Sequence, residues 1–222
     1  LCDILKMNKR KREENEKIVN WALNSYNLEL EQIHFKVDNM IKGNNKHLRE
    51  EINTLGEDLR EEIIFTIDGD DTKDIDDAIS IERLENNNFK LGVHIADVSY
   101  YVRDNTKLDE EAYNRGTSVY LADRVIPMLP HKLSNDLCSL NEKTPKLVMA
   151  CIMEINSEGI VENYEIKEAV IETKHRMTYT NVNKILNGDK EIQEQYYDIV
   201  NDVFMMNKLS HILSKMRDKN GA

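Results

Sequence analysis

Cysteine is scarce and scattered in this chain: Cys2, Cys138 and Cys151 are the only three in 222 residues. They are odd in number, form no C-x2-C pair and suggest no disulfide framework, a usage that fits a reducing cytosol. No run of 18 apolar residues occurs, so nothing reads as a transmembrane helix, and the first residues lack the apolar centre of a signal peptide. Positive charge is also short, with 30 Lys and Arg against 41 Asp and Glu and a net charge of -11. That balance argues at first against nucleic acid, whose binding usually needs a basic footprint. The one concentrated basic run, Lys9-Arg10-Lys11-Arg12, reads as the solvated face of a helix. Internal repeats and low-complexity tracts are lacking too. At 40% hydrophobic the chain can bury a core, while 32% charged residues and a mean hydropathy of -0.61 give it a wet surface.

What is present in excess is aspartate in one place. Asp68, Asp70, Asp71, Asp74, Asp76 and Asp77 make six within ten residues. Two unit charges about 4 Å apart repel by about 4 kcal/mol at an effective dielectric near 20. Convergence of several such side chains therefore calls for a positive partner, and hard divalent cations such as Mg²⁺ are what oxygen ligands collect. Each such cation would also remove two of the excess negative charges, which leaves the nucleic-acid question open. The run is flanked by Glu62-Ile67 and Ala78-Ile81, both β-rich, so it reads as a loop held between two strands rather than a solvated linker.

Residues 1–60 read as a helical segment or linker, with an apolar stripe at Ile18, Val19, Ala22, Leu23 and Tyr26. Residues 61–222 form the second unit. Within it, Leu91–Val98 reads as a buried strand, and Lys146–Ile155 with Ile160–Glu172 as a long hairpin across Asn156-Ser157-Glu158-Gly159. Short helices are expected at Leu108–Gly116 and Leu133–Leu140. From Tyr179 the pattern turns helical, with Ile192, Ile199, Val203, Met206, Leu209 and Leu213 on one face and the Met205-Met206 pair in the core. Strands cluster without regular βαβ alternation, which predicts an α+β fold: a mixed, mainly antiparallel sheet with flanking helices.

Two local readings of the acidic run compete. An EF-hand starting at Asp68 would put Thr72, Lys73 and Ile79 at positions 5, 6 and 12, and so fails. Asp68-Gly69-Asp70-Asp71-Thr72 looks like the D-x-D-x-T loop of haloacid-dehalogenase-type phosphatases, with Asp68 as nucleophile and Asp70 as general acid. That family needs a helix straight after the loop and a later strand-end acidic motif. Here Ala78–Ile81 reads as a strand, and Gly188-Asp189 lies between helical stretches.

A far longer match runs from Thr66-Ile67-Asp68-Gly69-Asp70-Asp71-Thr72-Lys73-Asp74-Ile75-Asp76-Asp77-Ala78 through Val93-His94-Ile95-Ala96-Asp97-Val98-Ser99-Tyr100-Tyr101-Val102. It continues in Arg115–Leu121, Ile126-Pro127-Met128-Leu129-Pro130, Leu133–Leu140 and Arg176-Met177-Thr178-Tyr179. Over about residues 62–187 the chain resembles the RNB catalytic domain of the ribonuclease II and ribonuclease R exoribonucleases, and is closer in style to ribonuclease R. The resemblance implies Mg²⁺-dependent hydrolysis of single-stranded RNA from its 3′ end with release of nucleoside 5′-monophosphates, Mn²⁺ being able to substitute. It implies that Asp68, Asp74, Asp76 and Asp77 are the catalytic, metal-holding acids and that Asp76 is the one whose loss stops chemistry while sparing RNA binding. Asp70 and Asp71 have no such role and read as solvated charges.

Tyr120 matches a family aromatic that stacks on a base near the 3′ end, its plain alternative being a half-buried strand tyrosine; Tyr179 is expected to line the same channel. His94 reads first as a core histidine and second as a substrate contact. Arg115 and Arg124 are candidate phosphate contacts. The family's domain is about twice as long as the part matched here, so the chain reads as a fragment: the N-terminal half of an RNB domain without the downstream phosphate-gripping arginine, its acidic partner and an aromatic clamp, and without cold-shock and S1 domains. Such a fragment is expected to degrade little RNA by itself, as a monomeric cytoplasmic protein needing neither membrane nor small-molecule cofactor. A catalytically silent RNA-binding module is the non-enzymatic alternative, against which the four intact aspartates count.

Overall fold

The computed structural model describes residues 56–122 and 125–221; the expected helical stripe at residues 18–26 and Arg124 lie outside them. Among the described residues nine strands occur in chain order: β1 (Glu57–Asp58), β2 (Phe65–Asp68), β3 (Asp77–Arg83), β4 (Phe89–Ala96), β5 (Val119–Tyr120), β6 (Val125–Ile126), β7 (Pro145–Ile155), β8 (Val161–Glu172) and β9 (His175–Thr178). Seven of them form one sheet in the order β1-β8-β7-β4-β3-β2-β9, while β5 and β6 pair separately. Every junction from β8 to β2 is antiparallel, whereas the two outermost strands, β1 and β9, each join in parallel. The expected α+β architecture with a mainly antiparallel sheet is therefore what forms.

Strand alternation divides the core between the two faces of the sheet. Ile64, Ala78, Val148, Ala150, Ala169 and Ile171 pack on one face beneath the segment that joins β4 to β7. That segment carries α1 (Val98–Tyr101), α2 (Lys107–Arg115) and a single π-helical turn at Leu133–Leu137. Leu133 and Leu137 drive the turn into the core, and its wider pitch shows in Cys138 N donating to Leu133 O. The helix expected across Leu133–Leu140 is thus one π turn, after which Ser139 and Leu140 run along the acidic loop. On the opposite face Phe65, Met177, Ile185, Ile199 and Val203 meet α3 (Tyr179–Leu186), α4 (Lys190–Gln195) and α5 (Val200–Lys219). Leu209 of α5 closes over Ile81, Phe89 and Ile155, with Met205, Met206 and Leu213 against it, as the apolar stripe foretells. Each large apolar side chain buried this way is worth about 1.5–3 kcal/mol.

The long hairpin falls where the sequence places it. Asn156 Oδ1 accepts from Glu158 N at 2.9 Å and Ile160 N at 3.1 Å, and Gly159 takes the left-handed φ of +85°. Around residue 60 the structure departs from the helical reading, because Glu57–Asp58 pairs with Ala169 and Val170. Gly56 makes that approach possible: a Cβ there would lie 2.4 Å from Glu168 O. A two-residue strand recruited by a distant partner has no periodicity to detect.

Candidate active site

β2 ends on Asp68 and β3 begins on Asp77, so the acidic run is the connection between neighbouring antiparallel strands. Its first half is a tight turn. Asp68 Oδ1 accepts from Gly69 N at 2.7 Å and from the Thr72 hydroxyl at 3.0 Å, and Thr72 N donates to Gly69 O. Its second half is anchored by Ile75, which is 1% exposed. Side chains alternate along extended backbone, and the residues on either side of this anchor keep contact with solvent, Asp74 half-buried and Asp76 exposed. Ser139 holds the anchor from both sides, accepting from Ile75 N at 3.1 Å and donating to Lys73 O at 2.9 Å. Leu140 N donates to Ile75 O and Ala96 N to Asp76 O, each at 2.9 Å.

The carboxylates feel one another. Although its side chain reaches solvent, Asp76 is pushed above the ordinary carboxylate value of 3.8, first by the desolvation that the surrounding protein imposes and then by the negative charges of Asp74, Asp77 and Asp68. Among the described residues no Lys or Arg forms an ion pair with Asp68, Asp74, Asp76 or Asp77. Tyr120, from β5, reaches the loop with its hydroxyl 3.5 Å from Asp74 Oδ2, and the Asp74 charge raises its phenol above 10.0. An all-oxygen, all-anionic donor set with no cationic partner fits a hard divalent cation. Asp68, Asp74, Asp76 and Asp77 are the residues that would hold one, although among the described residues no three acidic, His or Cys side chains stand together as a metal cage.

Residues 56–222 match the family model of the RNB domain. The chain belongs to the RNB-domain family. It is 55% identical over 165 residues to ribonuclease R 1 of Lactococcus lactis subsp. lactis strain IL1403, which covers 74% of this chain and 20% of that one. With ribonuclease R of Escherichia coli strain K12 the identity is 44% over 185 residues, 83% of this chain and 23% of that one. The chain thus spans about a fifth to a quarter of these relatives. Among solved structures, Mycoplasma genitalium RNase R in complex with double-stranded RNA superposes with a TM-score of 0.69 at 33% identity, over 77% of this chain and 30% of that one. The same enzyme in complex with ribose methylated single-stranded RNA gives 0.69 at 31% identity, over 83% and 28%.

Within this RNB domain the other candidate residues sort clearly. Tyr120 is 69% exposed, which removes the plain reading of a half-buried strand tyrosine. Tyr179 is 60% exposed and opens α3, one residue after Thr178, which sits in register with Asp68. The two aromatics therefore flank the acidic loop from opposite parts of the chain. His94 is a core residue: fully buried, with Nε2 3.2 Å from the Ser80 hydroxyl and burial lowering its pKa to about 4. Arg115 is committed to structure, bonding Glu111 at 2.8 Å and Pro127 O at 2.9 Å, so it ties α2 to the following loop rather than offering its charge to phosphate. The phosphatase geometry does not form, because β3 and not a helix follows the loop and Asp189 is the N-cap of α4. Three residues whose side chains bond to the acidic loop were given no role from sequence: Ser139, Arg176 and Thr180. Ser139 and Arg176 lie in runs that resemble RNB motifs, but nothing in a linear pattern says that they reach residues 70–75.

Proposed function

We propose that the acidic loop and the two exposed tyrosines belong to the active site of a 3′-to-5′ exoribonuclease that hydrolyses single-stranded RNA and releases nucleoside 5′-monophosphates. The observation that carries it is the acidic loop, in which among the described residues no Lys or Arg pairs with Asp68, Asp74, Asp76 or Asp77, with Tyr120 at its rim, on a chain whose relatives are named ribonuclease R. Asp68, Asp74, Asp76 and Asp77 would hold Mg²⁺, with Mn²⁺ as a substitute. When bound, the ion supplies acidification of the attacking water and neutralisation of charge growing at the scissile phosphate. Tyr120 and Tyr179 offer rings to bases near the 3′ end, a contact typically worth about 1–3 kcal/mol per base. Asp76 is assigned as the residue whose removal stops hydrolysis and leaves RNA bound, while Asp70 and Asp71 stay outside the ligand set. The activity is that of the whole protein, acting as a monomer in the cytoplasm without membrane or small-molecule cofactor. Against the alternative of a silent RNA-binding module, the four intact aspartates favour catalysis.

Calorimetric titration of Mn²⁺ into the chain and its variants tests the site. Binding weakened by Asp74→Asn or Asp76→Asn, and indifferent to Asp70→Asn, is expected. Binding abolished by Asp70→Asn alone would overturn the assignment.

A further inference from the structure

The two halves of the acidic loop are held by different parts of the fold. Ser139, Leu140 and Ala96 secure residues 73–76. Residues 70–72 depend on the last strand of the sheet and the helix that follows it. One Arg176 nitrogen donates to Thr72 O at 2.5 Å and to Asp70 O at 3.4 Å, and the Thr180 hydroxyl lies 3.3 Å from Asp70 Oδ2. Arg176 is opposite Thr66 in the parallel β2–β9 ladder, so its side chain travels along β2 to the loop. Its charge is spent on backbone carbonyl oxygens. Among the described residues it forms no ion pair with a carboxylate, although six lie close in sequence to its acceptors.

We propose that Arg176, assisted by Thr180, is a positioning residue that presets the Asp68 carboxylate for metal. The path has two links: Arg176 fixes the Thr72 carbonyl, and the Thr72 hydroxyl donates to Asp68 Oδ1. An arginine bonded to the carboxylates themselves would compete with a cation for the same lone pairs. Gripping carbonyl groups instead stiffens the turn without placing the guanidinium on the acidic oxygens. Side chains that orient ligands from behind in this way typically account for on the order of 10–100-fold in metal affinity. The inference rests on the metal-holding role given above to Asp68, but the clamp exists without metal and can be read without it.

Amide hydrogen exchange across residues 69–72 in the metal-free chain, together with Mn²⁺ binding followed by electron paramagnetic resonance, tests it. Arg176→Met is expected to speed exchange in that segment, leave the amide of Ile75 protected, and weaken Mn²⁺ binding by about tenfold or more. Arg176→Lys is expected to recover part of both effects, since an ammonium still donates to Thr72 O. Should Arg176→Met fail to fold, Thr180→Val is read by the same exchange experiment, with faster exchange at residues 69–72 expected and Thr180→Ser restoring protection. Unchanged exchange in Thr180→Val and in any folded Arg176 variant would overturn the clamp. If the unaltered chain binds no Mn²⁺, the metal reading falls separately, and the exchange result still decides whether Arg176 holds the loop.

Discussion

The β2–β3 and β7–β8 connections do the same topological job and are built in opposite ways. Each joins neighbouring antiparallel strands of one sheet. In the second, the Asn156 side chain accepts from Glu158 N and Ile160 N and donates to Glu162, so its side-chain bonds close within six residues. The first draws its support from Ser139, Arg176 and Thr180, at separations of 64 to 110 residues. A turn that supports itself is free to be anywhere. One that crowds aspartates together needs more than the turn bonds at Asp68, Gly69 and Thr72, since its side chains repel, and the surrounding fold supplies the rest.

The largest break in that contrast is Ser139→Ala. It leaves the buried Ile75 N–H without its acceptor and Lys73 O without its donor, and should cost about 1–3 kcal/mol in urea unfolding, with exchange rising at residues 73–75. The matching change, Asn156→Ala, acts on partly solvated amides and should cost about 0.5–1.5 kcal/mol, with exchange rising only at residues 158–160. Equal spread of the two effects through the sheet would erase the distinction. The smallest effect sharpens it through charge. Asp76 has a folded-state pKa above 3.8, so its protonated form stabilises the fold. That contribution is complete below pH 3.8 and is lost as pH rises through the raised value. Asp76→Asn should therefore raise the melting temperature of the metal-free chain slightly at pH 7 and leave it unchanged below pH 3.8. A lower melting temperature at pH 7 would mean that the cluster is already compensated.

The same contrast governs what could be read in advance. The β7–β8 hairpin was legible because Asn156-Ser157-Glu158-Gly159 carries its own turn chemistry between β-rich runs. The acidic loop was legible as composition between two strands, and through its resemblance to a family motif. The family likeness singled out Tyr120 as an aromatic for stacking, but its exposure and its approach to Asp74 were not legible, for an isolated Val119-Tyr120 pair reads as ordinary strand. Arg115 was misjudged because an arginine's partners, here Glu111 and Pro127 O, are settled by the packing of α2. Strand β1 escaped notice because its two residues are extended only by virtue of β8, and the Leu133–Leu137 turn because helical spacing does not distinguish a π turn from an α-helix.

The parallel edge strand β9 gives this domain a particular order of completion. Thr72 and Arg176 stand 104 residues apart. At a synthesis rate of roughly 5–20 residues per second, the aspartates leave the ribosome roughly 5–20 s before the arginine does. By the end of that interval β3, β4, β7 and β8 can pair and Ser139 can hold residues 73–75, while β2 is still an open sheet edge and residues 70–72 await Arg176. The edge of the sheet beside the acidic run is therefore the last to be paired on the nascent chain, closed by the arrival of His175–Thr178.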